Sequence, residues 1–348
     1  MKYEISQLEL LLNKHLKIID EFIIVCNKKD ATIVEKNYSI SSIETEFLSE
    51  DEYNELLKMA YALNIPFDIF TSELDFINSI IKTIDKIANK NIVVYNSAQN
   101  GTGPGRKSLI PAFCNLLNIK HTGSDAYRVS LCRDKFAINS ILKANNIKVP
   151  NSFLCNINII SDLNLPQGKY LIKPLYESAS IGITQQNVFS STNIPIDYIK
   201  TLCLELNQSV LIQEFVNGYE FEIPVLRKNE DILVFDPVIL SLKDCPLYMG
   251  NNILDYDRIY NDDYKFSSMP DEIISYSDTL KTIAADVANL LGLNGLCRID
   301  GRITINGNYY ITDVSTNPHF IKHSSVNYAF INNGYTDSDI FKSILLLC

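Results

Sequence analysis

The spacing of apolar positions changes along this 348-residue chain, and each change marks a predicted element. In the opening stretch "MKYEISQLELLLNKHLKIIDEF" the apolar residues recur at helical spacing, broken by Lys14, Lys17 and Asp20, so an amphipathic helix is predicted. "FIIVC" then reads as a strand. "LSEDEYNELLKMAYAL" begins with Ser49 and Glu52 at the spacing of a capping box, behind apolar Leu48, and predicts a helix. "PFDIF" predicts a short strand, "TSELDFINSIIKTIDKI" a helix and "NIVVYN" a buried strand. The Gly-rich loop "NGTGPGRKS" and the helix "LIPAFCNLL" follow. Strands alternating with helices predict a parallel sheet covered by helices.

"KHTGSDAYRVSLCRDKFAINSILKANNIKVP" closes this unit and starts a long helix around Lys135, and Pro150 marks the next boundary. The strand content then rises: "KYLIKP", the polar loop "LYESASIG", a strand in "ITQQNVF", a helix near 199–207, and "SVLIQEFV". "YEFEIPVL" and "DILVFDPVIL", joined by "RKNE", predict one hairpin. A long helix is predicted from about Asp271 to Leu291, with Gly292 as its stop. "LCRIDGRITI" and "NYYITDV" flank Asn306–Gly307 and predict a second hairpin. There is no internal repeat and no low-complexity segment.

Composition adds limits. The length suggests two or three domains, and 46% hydrophobic with 21% charged residues is ordinary for a globular protein. A net charge of −10 argues against binding nucleic acid by general phosphate neutralisation. The eight cysteines are scattered, with no Cys-x-x-Cys pair and mostly apolar neighbours. They read as reduced core residues of a cytoplasmic protein. The N-terminus lacks signal-peptide form, and no apolar run is long enough to span a bilayer, so no membrane partner is expected.

Three stretches carry chemistry. On the second hairpin, alternation puts Arg298, Asp300 and Arg302 on one face, and Asp313, Ser315 and Asn317 on one face of the returning strand. A carboxylate from each strand then meets near an arginine. Two such carboxylates repel unless a cation lies between them, and hard oxygens suit Mg²⁺, with phosphate completing the shell. A salt-bridged surface hairpin is the plain alternative, but it does not explain acids and a guanidinium among Ile, Val and Tyr. In "LIKPLYESASIG" Lys173 ends a strand beside a small-residue loop, a combination that can hold phosphate oxygens. Neither this loop nor "NGTGPGRKS" has Walker spacing. "VLIQEFVNGYEFEIPVL" offers a hinge whose backbone can face a planar ring, with Glu220 and Glu222 on one strand face; an ordinary strand–turn–strand explains it equally well alone.

Taken in order, "LLNIKHTGSDAYRVSLCRDK", "LIKPLYESASIGI", "VLIQEFVNGYEFEIPVL", "CRIDGRI" and "ITDVSTNPHFIKHSS" resemble the ATP-grasp superfamily, and within it the D-alanine–D-alanine ligase family. The resemblance runs from about Asn91 to the C-terminus. It implies an α/β protein with the ATP-grasp fold: an N-terminal parallel-sheet domain over 1–122, a small central α+β domain over 123–214 and a larger C-terminal α+β domain over 215–348. It implies an ADP-forming carboxylate–amine ligase working through an acyl phosphate, with ATP and two Mg²⁺ ions, or Mn²⁺ in their place. Lys135 and Lys173 match the phosphate lysines, and Glu177, Ser178 and Ser180 lie in the loop that closes over the phosphates. Gln213, Glu214, Phe215 and Val216 match the adenine hinge, and Glu220 the ribose glutamate. Asp300, Asp313 and Ser315 match metal ligands, Arg298 the oxyanion arginine, and Tyr260 a tyrosine on a mobile loop. Ser324 matches the serine holding the second substrate's carboxylate, with His319 and His323 beside it. The family's frequent homodimers are an analogy only.

Several positions depart from the family pattern. Ser315 stands for the usual Asn, Asp313 for Glu, His319 for Gly, Ile259 for Lys and Ala179 for Ser. The glutamate that grips the first D-alanine's ammonium has no clear counterpart. ATP-handling residues are largely kept while D-alanine-handling residues change. The expected enzyme therefore joins amino acids, or an amino acid and a peptide, other than two D-alanines. A nucleotide-binding protein without turnover is the alternative, favoured by Ile259 and Ser315 and opposed by Arg298. A bicarbonate-using ATP-grasp enzyme fits less well, because His323–Ser324 follows the amino-acid ligases.

Overall fold

The computed structural model describes residues 6–34, 37–38, 41–87, 89–101, 103–160 and 163–348. The N-terminal part carries helix α1 (Gln7–Lys14), strand β1 (Glu21–Val25), helix α2 (Glu50–Ala62), strand β2 (Phe67–Phe70), helix α3 (Glu73–Ile87), strand β3 (Ile92–Asn96), helix α4 (Leu109–Leu116) and strand β4 (Lys120–His121). The four strands form a parallel sheet in the order β2-β1-β3-β4, as the alternation predicts. Ser49 caps α2, and Glu52 reaches back to the cap backbone. A two-residue hairpin, Asn37–Tyr38 with Ser41–Ser42, interrupts the β1–α2 connection.

Helices α5 (Ala126–Arg133) and α6 (Lys135–Ala144) replace the single long helix predicted around Lys135. Asp134 is the break: its backbone is extended and its side chain caps α6 through the Ala137 amide. This break turns Arg133 and Lys135 into separate positions of use. Strands β5 (Ser152–Cys155), β6 (Lys169–Pro174), β7 (Val188–Ser190) and β8 (Val210–Glu214), with helix α7 (Ile196–Leu206) before β8, form an antiparallel sheet in the order β5-β8-β6-β7. The strand predicted in "ITQQNVF" shrinks to β7, because Thr184 caps a short 3₁₀ turn at Gln185–Asn187.

The C-terminal sheet contains β9 (Tyr219–Lys228), β10 (Asp231–Val234), β11 (Val238–Leu242), β12 (Tyr264–Ser267, after the short helix α8, Tyr256–Tyr260), β13 (Gly295–Ile303) and β14 (Tyr309–Ser315). Its order is β12-β11-β9-β13-β14, with β10 on one end of β9. "DILVFDPVIL" is two strands rather than one, and both pair with β9 at different places. Helix α9 spans Ser277–Leu290, shorter than predicted, because residues 274–276 are 3₁₀. Helices α10 (Ser325–Asn332) and α11 (Asp337–Leu346) then return to the N-terminal sheet.

The cores tie these parts together. One core joins Phe22, Leu56 and Tyr95 to Phe320, Phe330 and Phe341, so the C-terminal helices cover one face of the parallel sheet. Another joins Ile138 and Leu142 of α6 to Phe221, Ile299 and Val314, so α6 packs on the large sheet although it precedes the central one in sequence. Burial of such aromatic and aliphatic side chains contributes about 1.5–3 kcal/mol each. Six of the eight cysteines are buried, while Cys245 and Cys348 are partly exposed, and all are unpaired. Among the described residues no helix is long and apolar enough to cross a membrane.

The hairpin β13–β14 pairs Arg298 with Ser315 and Asp300 with Asp313, then slips by one residue between Asp300 and Gly301. A side chain is excluded at Gly301: an added Cβ would lie 2.4 Å from the Phe221 ring and 2.5 Å from the Tyr310 carbonyl oxygen. Gly301→Ala is expected to lower stability by about 1–3 kcal/mol, as overpacking does, read as a lower midpoint in urea denaturation. An unchanged midpoint would mean that the slip tolerates a methyl group.

Candidate functional site

A single cleft runs from the end of β8 across the floor of β9, β13 and β14 to the carboxyl end of β3. Open α/β sheets commonly bind ligands at that end. Lys135, Lys173, Ser178, Ser180, Gln213, Glu214, Phe215, Val216, Glu220, Arg298, Asp300, Asp313 and Ser315 all line it, although they come from distant parts of the chain.

At the hinge end, the Phe215 ring lies between Lys169 Nζ at 5.1 Å and the Arg302 guanidinium at 5.0 Å, a cation–π arrangement that fixes the ring. Gln213 Nε2 donates to Ser152 Oγ at 3.4 Å, and Glu214 Oε2 accepts from Asn151 at 2.9 Å. Arg302 also donates to the Val216 carbonyl at 3.0 Å and to Glu220 Oε2 at 2.8 Å. The sequence placed Arg302 on the cleft face without a role; the structure makes it a brace between the Val216 carbonyl and the Glu220 carboxylate.

In the middle of the cleft, the loop 177–182 has left-handed backbone at Ala179, Ser180 and Gly182. Gly182 is required there, since a Cβ would lie 2.8 Å from Pro174 Cγ. Ser178 Oγ accepts from Lys107 Nζ at 3.0 Å, and Ser180 Oγ donates to the Leu254 carbonyl at 2.7 Å. Lys135 Nζ donates to the Glu177 carbonyl oxygen. Lys173 reaches the cleft from β6, and burial pushes its ammonium down to about 8 against the pull of Asp313. Glu177 departs from the expected phosphate-loop role. Its carboxylate is engaged by Arg106 Nη1 at 3.1 Å, Tyr38 Oη at 3.0 Å and Gln208 Nε2 at 3.0 Å, so it anchors the loop from below.

On the floor, Arg298 donates Nε and Nη2 to the two oxygens of Asp300, each at 2.8 Å, and Nη1 lies 3.0 Å from Glu222 Oε2. Burial raises the Asp300 carboxyl while Arg298 opposes the shift. Burial likewise pushes Glu222 up to about 7. For Arg298 the carboxylates outweigh burial, and its guanidinium is held more firmly protonated than usual. Asp313 Oδ1 accepts from the Val314 amide. Two carboxylates in register with a hydroxyl at Ser315 form a hard-oxygen set that fits Mg²⁺ when phosphate oxygens complete it. No group of three His, Cys, Asp or Glu side chains forms a self-sufficient metal cage among the described residues.

The expected substrate residues lie beside this cleft rather than along its wall. His319 Nε2 is 3.3 Å from Glu52 Oε1 at the start of α2. His323 pairs with Asp262, and its ring centroid is 4.7 Å from that of Tyr264. Ser324 is buried and caps α10, accepting from the Asn327 amide at 3.0 Å. Tyr260 also departs from expectation: its segment is the helix α8, where Tyr260 is 69% exposed and Ile259 turns into the cleft. Tyr256, four residues earlier, makes the contact instead. Its hydroxyl accepts from the Ser42 amide at 3.0 Å and from Thr45 Oγ1 at 2.9 Å. The sequence also gave no role to Glu46, Arg106, Lys107 and Arg133, a buried ionic cluster at the far end. The basic pair Arg106–Lys107 inside the Gly-rich loop was its only sequence signal.

The geometry now has relatives to stand beside. The profile described as "D-ala D-ala ligase C-terminus" matches residues 140–346. The chain belongs to the D-alanine–D-alanine ligase family. The D-alanine–D-alanine ligase of Carboxydothermus hydrogenoformans is 29% identical over 256 residues, covering 70% of this chain and 77% of the relative. That of Cupriavidus metallidurans is 24% identical over 250 residues, covering 69% and 71%. In structure, the D-alanine–D-alanine ligase of Bacillus anthracis complexed with ATP gives a TM-score of 0.64 at 13% identity, covering 94% of this chain and 96% of that one. The VanG D-Ala:D-Ser ligase of Enterococcus faecalis gives 0.64 at 18%, covering 95% and 100%. The fold is ATP-grasp, and the protein is an ATP-dependent, ADP-forming carbon–nitrogen ligase.

The Lys173 ammonium titrates within reach of an assay. Because its value is depressed, the charge is present below pH 8 and lost above it, so ATP binding is expected to weaken as pH rises from about 7 to 9. Titration calorimetry with ATP across that range measures this. An affinity independent of pH would take Lys173 off the phosphates.

Proposed function

We propose that this ligase joins an amino-acid or peptide carboxylate to an amine and that its product is not D-alanyl-D-alanine. The reading is carried by one observation: a continuous cleft holds Gln213–Val216, both lysines, the small-residue loop, the acidic hairpin and Arg298, while His319 beside it and Ile259 in its lining depart from the family pattern more sharply than Asp313, Ser315 and Ala179 do. His319, held near Glu52, adds an imidazole where the resemblance calls for glycine. Ile259 puts an apolar side chain where it calls for lysine.

In this reading ATP lies with adenine at Gln213–Val216, ribose at Glu220 and phosphates between Lys135, Lys173 and the loop 177–182. Mg²⁺, or Mn²⁺, held by Asp300, Asp313 and Ser315 supplies neutralisation of phosphate charge when bound. A donor carboxylate oxygen attacks the γ-phosphorus and ADP leaves, giving an acyl phosphate. The amine then attacks the acyl carbon, the oxyanion faces the Arg298 guanidinium, and phosphate departs as the amine sheds a proton. Positioning and charge neutralisation supply most of the rate in such transfers. Arg298 is preorganised, since Glu222 and Asp300 fix it from two sides. We also infer a cytoplasmic protein, from eight unpaired cysteines.

The test is ADP release with a panel of amino acids, with hydroxylamine present to trap the acyl phosphate as a hydroxamate. Asp300→Asn is expected to reduce turnover by at least about 10²-fold. Unchanged turnover would remove Asp300 from the phosphate and metal site, and ATP binding without ADP from any carboxylate would reduce the protein to a nucleotide binder.

A further inference from the structure

The far end of the cleft, beneath the N-terminal sheet, is cationic and only partly neutralised. Arg106 Nη2 lies 3.0 Å from Glu46 Oε1, and Lys107 Nζ lies 2.6 Å from Glu46 Oε2. Arg106 Nη1 also pairs with Glu177, while Arg133 Nη2 is 3.9 Å from that carboxylate. Three cations thus share two carboxylates, in a place where the arginine and glutamate side chains are 6% exposed or less. An excess buried charge is costly unless something of opposite sign meets it.

Arg133 shows where that partner is due. Its Nη2 donates to the Tyr176 carbonyl, next to the Glu177 carbonyl that receives Lys135. Its Nε and Nη1 are buried and have no hydrogen-bond partner among the described residues. A guanidinium presents its donors in a rigid fork that matches a carboxylate or phosphate. Arg133 and Lys107 both line the cleft. In the ligase reading the phosphates of ATP take Lys135 and Lys173, which face Asp313. Asn96, Ala98 and Thr122 line the same cleft as Arg133 and Lys107.

We propose that Arg133 and Lys107 bind a second carboxylate on the donor, so that the donor is a dicarboxylate such as an acidic amino acid. This rests on the ligase reading above. One carboxylate of the donor takes the γ-phosphoryl group as ADP leaves, while the other stays on Arg133 and Lys107 and is not consumed. A zwitterionic donor of alanine size would bring its ammonium toward three cations, which disfavours it.

The experiment uses the full chain at pH 7 with ATP, Mg²⁺ and hydroxylamine, and compares D- and L-aspartate, D- and L-glutamate and succinate with D- and L-alanine. ADP and hydroxamate are expected from a dicarboxylate, with kcat/KM at least about tenfold above alanine. Arg133→Gln is expected to raise the dicarboxylate KM about tenfold or more and to leave the KM for ATP within about twofold, with Arg133→Lys recovering part of the loss. Alanine turning over while every dicarboxylate fails overturns this proposal and leaves the ligase reading standing. No ADP from any carboxylate sinks both. A rise in the KM for ATP in Arg133→Gln, with donor KM unchanged, assigns the guanidinium to the phosphoryl group and also overturns the proposal. Should Arg133→Gln fail to fold, the donor panel on the unaltered protein decides alone.

Discussion

The floor of the cleft depends on one guanidinium. Arg298 sits on β13 between Glu222, from the neighbouring strand β9, and Asp300, two residues along its own strand. Glu222 is buried, Arg298 and Asp300 keep 19% and 15% of their side chains exposed, and all three face the cleft while Cys297 and Ile299 fill the core on the other face of the strand. Breaking a buried pair by removing one partner costs about 3–5 kcal/mol, because the other charge is left uncompensated. Arg298 therefore ties three strands' worth of geometry to one electrostatic requirement: β9 must lie in register with β13, and β14 must present Asp313 opposite Asp300. In the proposed reaction the same arrangement holds the guanidinium in place for a developing oxyanion. Structure and chemistry draw on a single interaction here.

The charge pattern along the cleft then has a simple order. At the hinge end Arg302 and Glu220 balance each other. In the middle, two lysines from α6 and β6 face Asp313. At the far end, cations outnumber carboxylates. In the proposed reading the phosphates lie along the middle of this gradient. The chain as a whole is acidic, at −10, so this basic lining is a local property. Averaged composition argues against a general nucleic-acid surface, but it says nothing of a buried cluster.

The sequence was most readable where a local rule decides the geometry. Alternation alone placed Arg298, Asp300 and Arg302 on one face, and the Asn-Gly turn set the two strands side by side, but the slip that brings Asp313 opposite Asp300 had no sequence signal. The capping box at Ser49 and Glu52 was likewise visible in four residues. What stayed hidden was long-range. The ion cluster joins Glu46, Arg106, Arg133 and Glu177, which no local period connects. Tyr260 followed from the resemblance alone, and nothing local pointed to Tyr256; in the helix α8 the two rings stack at 6.2 Å, and Tyr256 reaches Thr45. The long helix near Lys135 failed at Asp134, an N-cap residue whose preference for ending one helix and starting another outweighed the apolar periodicity on either side.

The closure of the cleft is built differently from its floor. Besides the buried Arg106–Glu177 pair at the base of the loop, weaker contacts bring the parts together over it: Lys107 to Ser178, Ser180 to the Leu254 carbonyl, and Tyr256 to Ser42 and Thr45. Each is a polar contact made by a loop or a short helix, and each is at least partly exposed. Such contacts contribute about 0.5–1.5 kcal/mol apiece, because water competes for the same groups. The floor, by contrast, opens only if a packed sheet and its buried ion pairs are disrupted together. Elements that must move are drawn from the weakly held end of a structure. The cover is thus held by a buried pair at its base and by weaker contacts at its tip, whereas the floor rests on the packed sheet throughout. In the proposed reaction the weaker tip contacts are the ones that can yield to admit substrates while the floor stays assembled.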